Sequence, residues 1–153
     1  MAIMTTRRMA IGKARKRLED REAMETLFQY ASHIPPQDRQ LLSSYFELRF
    51  SLYELAHIHK TTRSKIRRRI QALVSRLRDP MFRAVVRYGD MLPAHLATVA
   101  RARHVEGRCC SRIEQDHGLT RTQVRHRLKQ AKLMLVAFTL REIGQGDIAK
   151  MLA

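Results

Sequence analysis

Between Lys60 and Arg78 the chain carries eight Lys and Arg residues and no acid: Lys60, Arg63, Lys65, Arg67, Arg68, Arg69, Arg76 and Arg78. Cationic groups at this density neutralise phosphates, and an arginine fork also pairs bidentately with a guanine edge. A second stretch, with Arg121, Arg125, His126, Arg127 and Lys129, offers the same chemistry. No other residue set competes with these two. His57, His59, His104 and His117, with the adjacent Cys109 and Cys110, match no metal-ligand spacing, so no metal is expected. No spacing defines a nucleophile and its base, and neither a GxGxxG nor a GxxxxGKS loop occurs. The chain is expected to bind rather than to catalyse, and no cofactor is implied.

The whole composition points the same way. The 153 residues include 30 Lys and Arg against 14 Asp and Glu, a formal charge of +16. Such a field needs an acidic partner: DNA, RNA, an anionic membrane surface or an acidic protein. The longest nearly apolar run, Leu133 to Leu140, falls far short of the roughly 20 residues that cross a bilayer. The opening residues do not read as a secretory signal, so none is expected, and adjacent cysteines fit a reducing compartment. No membrane partner is therefore expected. Single-stranded RNA readers offer stacking aromatics, and this chain has only four Tyr and five Phe, several at core spacing, so double-stranded DNA is favoured.

Positioning these cations requires helices. Periodicity near 3.6 runs through most of the chain, no stretch alternates like a strand, and the fold class reads as all-α. A basic N-terminal arm and helix span residues 1–33, the helix covering about Gly12 to Ser32 with Leu18, Leu27, Phe28 and Ala31 on its apolar side. Sliding the sequence against itself by 58 residues places Ile34-Pro35 on Leu92-Pro93 and Thr62–Ile70 on Thr120–Leu128. It also places Leu41 on Val99, Leu55 on Ile113, His59 on His117 and Leu77 on Leu135. An internal duplication explains this. Each copy reads as a proline-led helix, a short helix, a tight turn and a long basic helix, which is a helix-turn-helix pattern.

The copies span 34–80 and 92–142, with a helical connector over 81–91 and a C-terminal tail over 143–153, where Gly144-Gln145-Gly146 breaks the last helix. Ser51-Leu52-Tyr53-Glu54 and Ser111-Arg112-Ile113-Glu114 read as capping boxes. Gly107 ends a helix, and Gly118 supplies a left-handed turn residue. Lys60 stands at the position of Gly118 in the first copy, which predicts a less regular turn there.

On the first long helix Ile66, Ile70, Leu73 and Leu77 form one inward stripe. Ser64, Arg68, Gln71 and Ser75 then point away from it, flanked by Lys65 and Arg67. On the second, Val124, Leu128, Ala131 and Leu135 face inward and Thr122, Arg125, His126 and Lys129 outward. The outward residues differ between copies, so two unlike half-sites are expected. Thr62, Arg69, Thr120 and Arg127, with Arg7, Arg8, Lys13 and Arg15 of the arm, are candidate phosphate contacts.

Leu55-Ala56, then Thr62-Arg63-Ser64-Lys65-Ile66-Arg67-Arg68 and Leu77-Arg78-Asp79-Pro80, resembles region 4 of bacterial sigma factors. The resemblance covers about residues 35–80 and, more weakly, 93–135. It implies that Arg63, Ser64, Arg67 and Arg68 contact DNA, with Arg121, Thr122, Arg125 and His126 as their counterparts in the second copy. Ser64 stands where an acidic residue is common in that family. The chain lacks Trp and has no aromatic cluster on a basic helix, so it is not expected to be a complete sigma factor. The resemblance also implies a cytoplasmic, nucleoid-associated protein, bacterial or phage-encoded, with RNA polymerase as a second partner.

Leu133-Met134-Leu135-Val136-Ala137-Phe138-Thr139-Leu140 is wider than one packing stripe needs. It packs against the N-terminal helix, or it makes a homodimer or polymerase contact through Leu133, Val136, Phe138 and Leu140. These readings add up to a sequence-specific, double-stranded DNA-binding transcription regulator with two recognition helices. The alternatives are a sigma-like accessory or anti-sigma protein acting on RNA polymerase, and a non-specific nucleic-acid-binding protein.

Overall fold

The computed structural model describes residues 23–142, and the regular structure among them is helical, with no strand. Helix α1 occupies 23–31, α2 Pro36–Phe46, α3 Leu52–Ile58 and α4 Arg63–Arg78. Then follow α5 Pro80–Tyr88, α6 Ala94–Ala100, α7 Cys110–His117 and α8 Arg121–Glu142. A 3₁₀ turn, Gly89–Met91, precedes α6, and a π turn, Arg101–Val105, extends it. The all-α expectation holds for these residues, and none of their helices is long and apolar enough to cross a membrane. The basic arm with Arg7, Arg8, Lys13 and Arg15, the start of the N-terminal helix with Leu18, and the tail 143–153 lie outside the described residues.

Local chemistry sets most helix ends. Proline fixes φ near −65° and lacks an N–H, so it suits a first turn. Pro35 before α2 (φ −53°, ψ 143°) and Pro93 before α6 (φ −53°, ψ 140°) have nearly the same conformation. Ser51 caps α3 in a reciprocal box: its Oγ accepts from the Glu54 N–H at 3.2 Å, and Glu54 Oε2 accepts from the Ser51 N–H at 2.7 Å. Those two Ser51 donors, backbone and hydroxyl, hold the Glu54 carboxyl below the usual carboxylate range. Helix α4 stops at Asp79 because the following Pro80 excludes the helical region, and the Asp79 carboxylate caps α5 through the Met81 N–H at 2.9 Å.

The second expected capping box does not form. Cys109, not Ser111, occupies the N-cap of α7, and no side chain caps it. The 58-residue shift explains the boundary, since Cys109 (φ −72°, ψ 159°) stands where Ser51 (φ −71°, ψ 158°) stands in the first half. A thiol is a weak acceptor there, and Ser111 is left inside the first turn.

The same shift pairs the left-handed residues. Among the described residues Arg49 (φ 60°) and Gly107 (φ 69°) form one pair, Lys60 (φ 50°) and Gly118 (φ 61°) the other. Lys60 therefore follows the path of Gly118 rather than making an irregular turn. A left-handed non-glycine costs about 1–2 kcal/mol, which the packing around it must offset.

Ile66, Ile70, Leu73 and Leu77 of α4 are buried as their spacing predicts, against Leu41, Leu42 and Leu55, with Phe82 arriving from α5. A second core joins α5, α6 and α8 through Val85, Tyr88, Leu96, Ala100, Ala131, Leu135 and Val136. A third holds Val99, Ala102, Ile113 and Val124 together under α7. Helix α5, within the segment expected to connect the copies, thus gives side chains to two cores. Among the described residues the apolar end of α8 packs mainly on α5 and α6, and most of the helix expected to cover it lies outside them. Val136 is buried, and Phe138 is partly buried with its ring 6.1 Å from that of Tyr88, so both pack against the chain's own core. Of the four residues expected at a homodimer contact, only Leu133 and Leu140 remain exposed, at 58% and 52%.

Candidate nucleic-acid interface

The inward stripe of α4 turns the opposite side of the helix to solvent. Arg63, Ser64, Lys65, Arg67, Arg68 and Gln71 are all exposed, and among the described residues none of their cations pairs with a carboxylate. On α8 the buried Val124, Ala131 and Leu135, with half-buried Leu128, do the same for Arg121, Thr122, Arg125, His126 and Lys129. Each set lies on one helix face that begins at the N-terminus. The structure thus brings the expected base-reading residues of each copy together.

The candidate phosphate contacts divide. Thr62 Oγ1 accepts from the Lys65 N–H at 3.3 Å and so caps α4. Thr120 Oγ1 accepts from the Gln123 N–H at 3.3 Å, and Gln123 Oε1 accepts from the Thr120 N–H at 2.9 Å, a box that opens α8. Both hydroxyls still hold an O–H to donate outward. Arg127 is half-buried. Arg69 departs from expectation: its Nη2 and Nε donate to Asp38 Oδ1 on α2 at 2.7 and 3.1 Å, so its fork is taken up within the chain. Helix packing brings the two together across 31 residues, a contact that no local pattern signals.

Carboxylate pairing separates other arginines from the two faces. Arg87 meets Glu142, Arg101 meets Asp90, and Arg108 meets both Glu106 and Asp116. These are surface pairs, each worth about 0–1 kcal/mol. Their relevance here is that the acids stand beside them and away from the outward faces of α4 and α8.

Both long helices also begin against their own electrostatics. A helix N-terminus carries about half a positive charge and favours acids in its first turn. The first turns of α4 and α8 contain no acid, and both begin with arginine. Each such cation costs roughly 0.3–1 kcal/mol at low salt. The helix dipole, free backbone N–H groups and arginines together make a positive end suited to an anion.

Packing adds residues that the sequence did not single out. A groove of about 1280 Å³ runs beside α4, lined by Arg67, Gln71, Arg78, Tyr45, Phe46, Arg103 and His104. Arg103 comes from the π turn of the second half, so it joins α4 only through tertiary packing. No sequence signal marks Arg103, since the π turn that carries it shows only in the structure. Burial pushes the His104 imidazole below its ordinary value, Arg103 and Lys132 act in the same direction, and Asp79 opposes them. Cys109 and Cys110 are free thiols, and among the described residues no three His, Cys, Asp or Glu side chains converge as a metal-ligand set.

No family model, no curated protein and no solved structure matches the chain.

Proposed function

We propose that the chain is a sequence-specific, double-stranded DNA-binding transcription regulator built from two tandem helix-turn-helix units. In this reading α3 with α4 and α7 with α8 are the paired helices, and α4 and α8 enter successive major grooves. One observation carries it: two long helices at the same 58-residue offset each follow a short helix and a left-handed turn residue, and each begins with exposed cations that pair with no carboxylate among the described residues and that its own dipole disfavours. A placement unfavourable to folding is accounted for by an anionic partner.

Arg63, Ser64, Lys65, Arg67, Arg68 and Gln71 read one half-site; Arg121, Thr122, Arg125, His126 and Lys129 read the other. Thr62, Thr120 and Arg127 meet phosphates. The activity is binding, with no chemical step, and its place is on chromosomal DNA in the cytoplasm. Sigma-factor region 4 remains the pattern it resembles, on the residues of the first unit.

The test is selection of bound duplexes from a random double-stranded pool at about physiological salt, where phosphate-only binding is weakened. Two unlike enriched half-sites about one helical turn apart are the expected result. Retention without enrichment would overturn sequence-specific reading: charge alone would then drive the binding, and RNA polymerase or RNA would be the partner to test next.

A further inference from the structure

Arg76 leaves the C-terminal half of α4 and crosses to the second half of the molecule. Its Nη1 donates to the Val105 carbonyl at 3.0 Å, across 29 residues of sequence. The guanidinium then lies against Gly107, where a Cβ would fall 2.4 Å from Nη1 and 2.5 Å from Cζ. That approach admits no side chain unless the guanidinium moves.

The repeat supplies an internal control. Gly107 has φ 69°, yet Arg49, its counterpart in the first half, holds φ 60° with a full side chain. A left-handed backbone strains any side chain at 107, a cost the first half bears at Arg49; at Gly107 the packed guanidinium adds a second one, because its flexible end would have to move away. The counterpart of Arg76 is Met134, a partly buried side chain packed against the α5–α6–α8 core. Arginine facing glycine thus occurs where the two halves meet and not at the equivalent positions. Asp79, three residues on, caps α5 and so fixes the corner between α4 and the second half.

We infer that Arg76 is a positioning residue that locks the angle between α4 and α8, so that the two basic faces engage one duplex at a single half-site spacing. The inference rests on the DNA reading above. A rigid joint keeps the second face at high effective concentration once the first has bound, an advantage of about 10²–10⁴ in tandem over single-site affinity when the geometry matches.

The experiment uses the full chain with two variants that reach the contact from opposite sides, Arg76→Met and Gly107→Ala, and with Arg76→Lys as the conservative change. Lysine keeps the charge without the flat fork. Binding is measured on duplexes carrying both selected half-sites with the spacer varied one base pair at a time, and on each half-site alone. The wild type should show one sharp spacing optimum. Arg76→Met and Gly107→Ala should lose about tenfold or more at that optimum and respond more evenly to spacing, while single-half-site affinity stays within about twofold; Arg76→Lys should fall between.

Separately, spin labels at Gln40 and Gln115, in a Cys109→Ser, Cys110→Ser background, report the distance between halves without DNA. The distribution should broaden or shift in Arg76→Met. An unchanged distribution, or an unchanged spacing optimum, overturns the clasp. Equal loss on single half-sites overturns the positioning role in favour of general destabilisation. A wild type that binds the half-sites with no preferred spacing overturns the fixed angle, whereas no preference for either half-site over unrelated duplex overturns the DNA reading itself.

Discussion

Replacing Lys65 by Glu should stabilise the fold and weaken DNA binding, two changes that a merely solvated face would not couple. Thr62 already accepts from the Lys65 N–H at 3.3 Å, so half of a capping box is present at the start of α4. Glu at this third helical position would supply the other half, as Glu54 does for Ser51 at 2.7 Å and as Gln123 does for Thr120 at 2.9 Å. Exchanging a cation for an anion in a first turn otherwise free of acids removes one unfavourable charge and adds a favourable one. The dipole contribution is about 0.3–1 kcal/mol for each charge near the terminus. With the added hydrogen bond the gain is about 1–2 kcal/mol, or about 2–8 °C in Tm for a chain of this size at about 2–4 °C per kcal/mol. Lys65→Gln separates the two effects, because it completes the box without adding an anion, and should give the smaller gain.

On DNA the loss of one cation from the base-reading face should make the salt slope shallower, by up to about 0.9, and the carboxylate should lower affinity further. Thermal unfolding followed by circular dichroism at low and at 1 M salt, together with fluorescence anisotropy on the selected duplex over a salt series, reads both quantities. The stability gain from charge should shrink at high salt while the part due to the box remains. A lower Tm in Lys65→Glu would refute the electrostatic argument. An unchanged affinity and slope would remove this face of α4 from the interface.

Arg67→Ala with Arg68→Ala should lower discrimination at one half-site by about 1–3 kcal/mol for each bidentate pair lost, leaving the preference at the other intact; equal loss at both would count against two separate readers. Cys109→Ser places a good acceptor in a cap conformation matching that of Ser51. It should stabilise the chain by about 1 kcal/mol, measured by urea unfolding, and no gain would mean that the α7 N-terminus is already satisfied. His104 gives a pH dependence of defined sign, because burial lowers its folded value below the 6.5 of an exposed imidazole. As pH falls below 6.5 the unfolded chain takes up the proton first, so the stability due to neutral His104 is complete above that value and declines as pH falls through the folded one. The loss in unfolding free energy between pH 7.5 and 5.5 should be smaller in His104→Gln than in the wild type, and identical losses would refute the assignment.

Local features of the sequence reach the structure largely intact. The stripe Ile66, Ile70, Leu73, Leu77 and the outward set Arg63, Ser64, Lys65, Arg67, Arg68 follow from helical period alone, because a helix fixes which residues share a face before it packs against anything. The Ser51 cap is equally local, as its partner lies three residues away. The 58-residue offset is legible for the same reason, since apolar positions of one half recur at that spacing in the other.

Tertiary packing decided the contacts that join segments distant in the chain. Arg69 looks like its neighbours in sequence, yet Asp38 claims it across 31 residues; Arg76 is one more basic residue until Val105 and Gly107 arrive beside it. For Val136 and Phe138 the sequence leaves open an internal core or a contact with a partner, and α5 is what packs against them. The left-handed Arg49 and Lys60 carry no glycine to announce them, and their conformation shows only beside Gly107 and Gly118. Periodicity thus establishes which face of a helix is outward, whereas the neighbours that neutralise, bury or orient a given side chain are set by the path of the whole chain.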